Sequence, residues 1–320
     1  MSTVTTATQT LKALVADPLG AEAERILLQS GFEVKRETGL AGEALVAALL
    51  GRQALLVRGA TRVTGEVIRA ANGLRVIARA GAGTDNIDTL AASAQGIAVY
   101  NAPGANAVSV AEHTWGLIFS VLRHLPEADK TTREGRWEKN RLQGLEVAGR
   151  TLGVIGLGWV GREVARIGVA LRCRVLGFDP DPEAGANVPG IERVGLEQAF
   201  QQADILSLHA PLSPQTRNLA NHERMSRMKP GAILVNAARG GLVDEEALAQ
   251  LLAQGRLGGA GLDVFEHEPP GENPLFALAN VVVTPHLGGS TAEAQERAAI
   301  AAAQAVVTHL AGGTPPGRVV

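Results

Sequence analysis

A chain of 320 residues with 46% hydrophobic side chains can bury the cores of two ordinary domains, which excludes a mini-protein held by cross-links. Its 30 basic and 32 acidic side chains leave a net charge of −2, so no global field recommends nucleic acid or an anionic membrane as a partner, and any anion site must be local. The single cysteine, Cys173, can build neither an intrachain disulfide nor a cysteine metal cluster, and no metal is expected.

The opening residues 1–9 are polar, with no cationic stretch leading into an apolar run, and no later segment is apolar over the roughly 18 residues a membrane span needs. A soluble, cytoplasmic protein is expected. Abundant glycine, 38 residues, with only 3% aromatics suits aliphatic sheets joined to Ala-rich helices by tight turns.

Along the chain, aliphatic runs at 13–16, 54–57, 75–78 and 97–99 alternate with Ala/Glu/Arg-rich stretches of helical spacing, the pattern of a parallel βα sheet. From 106 to about 130 the spacing predicts one long helix, read as the joint between two domains, and 135–149 is a polar connection. A second series follows at 152–155, 174–178, 205–208, 232–235, 261–262 and 281–283, mostly uninterrupted, as for strands buried on both faces. Ser290-Thr291-Ala292-Glu293 reads as a capping box opening an Ala-rich helix toward His309, with Gly312 and Gly313 as its stop. No strand follows that helix, so it is expected to return to the first domain. The expectation is α/β: two doubly wound parallel-sheet domains, one discontinuous (1–102 and 291–320, for substrate) and one for a dinucleotide (103–290), with the active site in the cleft between them.

Val154-Ile155-Gly156-Leu157-Gly158-Trp159-Val160-Gly161 places G-x-G-x-x-G at the end of an apolar strand and the start of a helix. Gly156 permits the tight turn, Gly158 lets a pyrophosphate approach the backbone, Gly161 allows close helix–strand packing, and the helix N-terminus offers amides to the phosphates. The next strand ends at Asp179, about twenty residues on, where a carboxylate binds the adenine ribose hydroxyls and repels a 2′-phosphate, so NAD is favoured over NADP.

Reducing a carbonyl with a hydride requires a proton donor, and a neighbouring carboxylate requires a cation. Of the histidines, His286 alone follows an aliphatic strand through a proline and precedes a Gly pair, in Val281-Val282-Val283-Thr284-Pro285-His286-Leu287-Gly288-Gly289. Arg239 lies just past another strand in Asn236-Ala237-Ala238-Arg239-Gly240-Gly241, and Asp263, Glu266 and Glu268 lie past a third.

These segments resemble, in order, the signatures of the D-isomer-specific 2-hydroxyacid dehydrogenases: Asn-Ala-Ala-Arg-Gly-Gly, Leu-Asp-Val-Phe followed by Glu-Pro-Pro, and Pro-His-Leu-Gly-Gly-Ser-Thr, with the Gly-rich motif upstream. The resemblance implies a Rossmann NAD-binding domain and a flavodoxin-like substrate domain. It implies that Arg239 binds the substrate carboxylate and carbonyl, that Glu268 pairs with His286, and that His286 exchanges the proton. It further implies cofactor contacts at Trp159, Val160, Pro180, His209, Ala210, Pro211, Ala237, Ser109, Gly288 and Asp263, the last touching the nicotinamide amide. The chemistry agrees: a guanidinium offers paired donors to a carboxylate, and a carboxylate beside an imidazole stabilises its protonated form and fixes its tautomer.

Arg79-Ala80-Gly81-Ala82-Gly83 resembles the family's substrate loop, whose amides receive the carboxylate, with Asn106 nearby on the hinge side. Arg79 and the Asn106-x-x-Ser109-Val110-Ala111-Glu112 pattern look most like the phosphoglycerate-oxidising branch, in a short form without a regulatory domain, although Ala82 stands where many of that branch carry a hydroxyl. The resemblance then implies 3-phosphoglycerate as substrate, with Arg58 and Arg79 as phosphate cations at one sheet edge, Lys139 or Arg141 of a second subunit as a third, and a homodimer anchored by Trp137. The alternatives are a hydroxypyruvate or glyoxylate reductase with the same machinery, and an NAD-responsive binding protein of the corepressor kind.

Overall fold

The computed structural model describes residues 10–185 and 187–320. The polar segment 1–9, in which no targeting signal was expected, lies outside them.

Within the first series of strands, successive side chains point to opposite faces. Ala13, Val15, Leu56, Ala78 and Tyr100 enter one core, and Leu14, Leu55, Ile77 and Val99 enter another. A sheet apolar on both faces must be covered on both, and the chain supplies the cover between strands: β1 (Lys12–Val15), α1 (Ala21–Gln29), β2 (Glu33–Arg36), α2 (Gly42–Leu49), β3 (Ala54–Val57), α3 (Gly65–Ala70), β4 (Val76–Arg79), α4 (Thr89–Ala94) and β5 (Ala98–Tyr100). The five strands are parallel in the order β2-β1-β3-β4-β5, the flavodoxin-like winding.

The second unit runs α5 (Ala107–Leu122), α6 (Leu125–Arg133), β6 (Thr151–Ile155), α7 (Trp159–Ala170), β7 (Arg174–Phe178), β8 (Ile191–Arg193), α8 (Leu196–Gln202), β9 (Ile205–Leu208), α9 (His222–Ser226), β10 (Ile233–Asn236), α10 (Glu245–Ala253), β11 (Gly259–Leu262) and β12 (Val281–Val283). Its seven strands are parallel in the order β12-β11-β10-β9-β6-β7-β8. One face packs Leu206, Leu234 and Leu262 with Phe200, Met225 and Leu248; the other packs Leu152, Val154 and Val235 with Trp115, Ile118 and Val164. The last helix, α11 (Ala292–Leu310), lays Ala298, Ala302, Ala303 and Val306 against the first sheet's core. The chain thus divides after Asn106 and again after Ser290, with Thr291–Val320 returning to the first unit.

Three expectations need correction. The single long helix is two, α5 and α6, because His124 adopts a left-handed φ of 52° and Pro126, lacking an amide hydrogen, cannot continue a helix begun before it. The capping residue of α11 is Thr291 rather than Ser290; its hydroxyl accepts from the Ala294 amide at 3.2 Å. Two strands went unread, β2 and β8, both at sheet edges, where only part of the side-chain surface is buried and the aliphatic signal is diluted by Glu, Lys and Arg. Among the described residues no helix is long and apolar enough to cross a membrane.

Candidate active site

In the second unit the chain leaves β6 in one direction for β7 and β8 and later returns on the other side through β9, so the switch in strand order lies between β6 and β9. Ligands of open α/β sheets bind outside the carboxyl ends of strands at such a point. Here the three glycines of the turn separate by cause. Gly156 has a φ of +93°, and a β-carbon on it would sit 2.7 Å from the His209 carbonyl carbon. A β-carbon on Gly161 would lie 1.8 Å from the Gly156 oxygen. A β-carbon on Gly158 would meet nothing within 4 Å beyond its chain neighbours and its own helix, and φ there is an ordinary −68°. The protein therefore requires Gly156 and Gly161 for its own packing, whereas nothing among the described residues requires Gly158. It caps α7 without a side-chain bond, leaving the first amides of a 12-residue helix to an outside acceptor. These residues fit a dinucleotide pyrophosphate.

Asp179, just past β7, points back at this turn: Oδ2 accepts from the Leu157 amide at 2.7 Å and Oδ1 from the Asp181 amide at 2.9 Å. Pro180 follows it. Beyond the turn, Trp159 is exposed with the Arg162 guanidinium 5.0 Å from its ring centre, and Val160 is half-buried. Past β9, the His209 backbone and Ala210 amide pack on Gly156, and Pro211 is exposed. His209 Nε2 lies 2.8 Å from the Ser207 hydroxyl, while Nδ1 is buried without a hydrogen-bond partner. Burial pushes the His209 pKa down to about 3. Ser109 and Ala237 are buried, on α5 and past β10.

The other named groups stand at the carboxyl ends of three adjacent strands. Past β10, the Asn236 side chain is 1% exposed and clasps the loop that carries Arg239: Nδ2 donates to the Arg239 carbonyl at 2.8 Å, and Oδ1 accepts from the Ala238 amide at 3.1 Å. Arg239 Nη1 donates to the Ala238 carbonyl at 2.7 Å. Past β11, the Phe265 amide donates to Glu268 Oε1 at 3.2 Å. Past β12, His286 Nδ1 lies 2.7 Å from Glu268 Oε2, in a contact half open to solvent. That bond commits Nδ1 to Glu268, which leaves Nε2 as the ring nitrogen able to face a ligand. A cavity of about 470 Å³ beside the pair is walled by Phe265, Pro269, Phe276 and Val283.

Asp263, 1% exposed, organises the His286 loop. Its carboxylate accepts from the Thr284 hydroxyl at 2.6 Å and from the Leu287 and Gly288 amides, each at 2.7 Å, with His113 Nε2 at 3.2 Å. Burial alone would raise the carboxyl, but the bonds from His113, Thr284, Leu287 and Gly288 outweigh it and hold it below the usual range. The Asp263 carbonyl also accepts from the His286 amide at 2.8 Å, supporting a left-handed φ of 56°. Sequence reasoning read neither Asn236 nor His113 as functional; Asn236 was visible inside the arginine motif, but His113 had no signal because its partners lie on distant strands.

In the first unit, Arg79 ends β4 and Arg58 follows β3, with Val57 and Arg79 in register, so both cations stand at the carboxyl edge of the sheet. The Gly81 and Ala82 carbonyls accept from the Ala102 amide at 2.9 Å and from Asn101 Nδ2 at 2.6 Å. Gly83 follows in the same half-buried loop, and Asn106 is half-buried where the unit ends. In the second unit Trp137 is 83% exposed and Lys139 is exposed beside it, while Arg141 is paired with Glu127 at 2.8 Å and with Glu138.

Residues 115–288 match the family model for the NAD binding domain of D-isomer specific 2-hydroxyacid dehydrogenases. A D-3-phosphoglycerate dehydrogenase of Methanocaldococcus jannaschii is 45% identical over 94% of this chain and 58% of its own length. A hydroxypyruvate reductase of Thermotoga maritima is 44% identical over 92% of this chain and 97% of its own. A solved structure from Thermus thermophilus superposes with a TM-score of 0.87 and 38% identity, covering 97% of this chain and 100% of that one. The chain belongs to the D-isomer specific 2-hydroxyacid dehydrogenase family, and the part matched by the family model is its NAD-binding domain. It spans somewhat more than half the length of the phosphoglycerate dehydrogenases it matches.

Proposed function

We propose that the protein is an NAD-dependent D-2-hydroxyacid dehydrogenase that oxidises 3-phosphoglycerate to 3-phosphohydroxypyruvate, the entry to serine biosynthesis, as a cytoplasmic homodimer. The observation that carries the reaction class is the 2.7 Å bond between His286 Nδ1 and Glu268. NAD, when bound at the Gly156–Gly161 turn, supplies the acceptor for the hydride leaving C2. The protein's own groups do the rest. Arg239 holds the carboxylate; His286 Nε2 takes the hydroxyl proton as the C2–O bond becomes a carbonyl, and Glu268 stabilises the imidazolium so formed. In reduction the same proton returns to the carbonyl oxygen.

The phosphorylated substrate is supported by two cations, Arg58 and Arg79, at adjacent strand ends, and by the likeness to phosphoglycerate dehydrogenases. Lys139 or Arg141 of a second copy completes the phosphate site, with Trp137 as the interface anchor. A reductase acting on hydroxypyruvate is the second reading, favoured by the Thermotoga relative, which matches along nearly its whole length. NADH oxidation with phosphohydroxypyruvate, hydroxypyruvate and glyoxylate separates them. The proposal expects the highest kcat/KM on the phosphorylated acid. Preference for hydroxypyruvate or glyoxylate establishes the second reading, and turnover of none leaves an NAD-responsive binding protein.

A further inference from the structure

Arg58 and Arg79 are not held independently. Arg79 Nε donates to Asn86 Oδ1 at 2.8 Å, and Asn86 Nδ2 donates to the carbonyls of Thr61 at 2.7 Å and Arg58 at 3.3 Å. One amide side chain therefore clasps both cation-bearing segments, Arg79 by its guanidinium and Arg58 by its backbone. The clasp is itself anchored. The Val63 amide donates to the Asn86 carbonyl at 2.8 Å, and the Asp88 amide returns a bond to the Val63 carbonyl at 3.0 Å. Asp17, 2% exposed past β1, closes the other side, accepting from the Arg58 amide at 2.6 Å and from the Thr61 hydroxyl at 2.7 Å.

One glycine makes room for the guanidinium. A β-carbon on Gly81 would lie 2.6 Å from Arg79 Nη1. The guanidinium thus lies against position 81, with Asn86 holding its Nε. A side chain at position 86 must accept from a guanidinium and donate to two carbonyls at once, which an amide does and a carboxylate, acceptor-only when ionised, does not.

We propose that Asn86 is a positioning residue that sets selectivity for a 2-hydroxy acid bearing a distal phosphomonoester over its unphosphorylated analogue, by fixing the orientation of Arg79 and the path of the Arg58 loop. The inference rests on the phosphate reading above. A guanidinium held in its binding orientation loses less freedom on meeting a phosphate and presents its paired donors in plane, whereas a substrate without the phosphate draws nothing from that order.

The test is steady-state reduction by NADH of phosphohydroxypyruvate and hydroxypyruvate, with melting temperature measured on each variant. Asn86→Ala is expected to raise KM for phosphohydroxypyruvate about ten-fold or more, with kcat, and KM for hydroxypyruvate, changed by less than about three-fold. Asn86→Asp, near-isosteric, is expected to lose selectivity similarly, because its carboxylate faces two carbonyls and competes for the guanidinium. On an Arg79→Lys background, which lacks the Nε donor, Asn86→Ala should add less than about three-fold. Equal losses on both substrates, retained selectivity in Asn86→Asp, or additivity on that background overturns the inference. Arg79→Ala tells the two levels apart: if it leaves selectivity unchanged, the phosphate reading itself falls; if it collapses selectivity while the Asn86 variants keep it, only the role of Asn86 falls.

Discussion

Gly240 packs so closely on Phe265 that a β-carbon at position 240 would lie 1.9 Å from the Phe265 carbonyl carbon, and 2.4 Å from the Glu266 nitrogen. This backbone-on-backbone contact joins the loop that carries Arg239 to the loop that carries Glu268. Gly240→Ala must push the two apart, since neither neighbour is a movable side-chain end. The expected cost is about 1–3 kcal/mol of stability, with a fall in kcat/KM larger than any change in NADH affinity. Melting curves and steady-state kinetics check it; an unchanged kcat/KM would show that the loops are not coupled through this contact.

His286→Ala removes the group to which the proposal assigns proton exchange and should lower kcat on the order of a hundred-fold or more, with the NADH dissociation constant little changed. Glu268→Gln keeps the hydrogen bond to Nδ1 but withdraws the negative charge that favours imidazolium. The oxidation kcat should therefore fall about ten-fold or more, with the NADH dissociation constant little changed. A kcat within about two-fold of the native value would remove Glu268 from the pair.

Gly158→Ala discriminates a ligand-imposed glycine from a structural one. Among the described residues nothing lies within 4 Å of the added carbon beyond its chain neighbours and its own helix, and the backbone there is ordinary, so the melting temperature should hold within a few degrees. NADH affinity should drop about ten-fold or more, because the pyrophosphate must approach that position closely. Fluorescence titration with NADH reads the outcome, and full affinity in the variant would move the pyrophosphate elsewhere.

His209 predicts an acid-sensitive term. Its folded pKa is pushed from 6.5 to about 3 by burial, so the folded protein does not take up the proton that the unfolded chain binds below 6.5. The contribution of neutral His209 is fully present above pH 6.5 and is lost progressively as pH falls toward 3. The loss is on the order of 2 kcal/mol by pH 5. His209→Gln should lose less stability than the native protein between pH 7 and 5 in cofactor-free melts; parallel curves would contradict a buried neutral imidazole.

The central strands could be read from the chain because strands covered on both faces are built largely of aliphatic residues, without a break in Ala54–Val57 and with only Ser207 intervening in Ile205–Leu208. The edge strands Glu33–Arg36 and Ile191–Arg193 could not, since half-covered residues need not be apolar. The break in the 106–130 segment was legible at Pro126, which cannot continue a helix, whereas the left-handed conformation of His124 ahead of it was announced by no local pattern.

At the site, the candidate groups could be picked out from the sequence alone, because Gly156, Gly158, Gly161, Arg239, Glu268 and His286 sit in contiguous motifs whose spacing reflects a strand end and its turn. Only the tertiary structure decided what holds them. Asp17 reaches Thr61 across 44 positions, Asn86 reaches Thr61 across 25, and His113 reaches Thr284 across 171. A short polar side chain specifies no partner by its own spacing. Parallel packing brings strand ends distant in sequence side by side, and there a buried or half-buried Asp, Asn or His finds the donors and acceptors that the chain order keeps far apart.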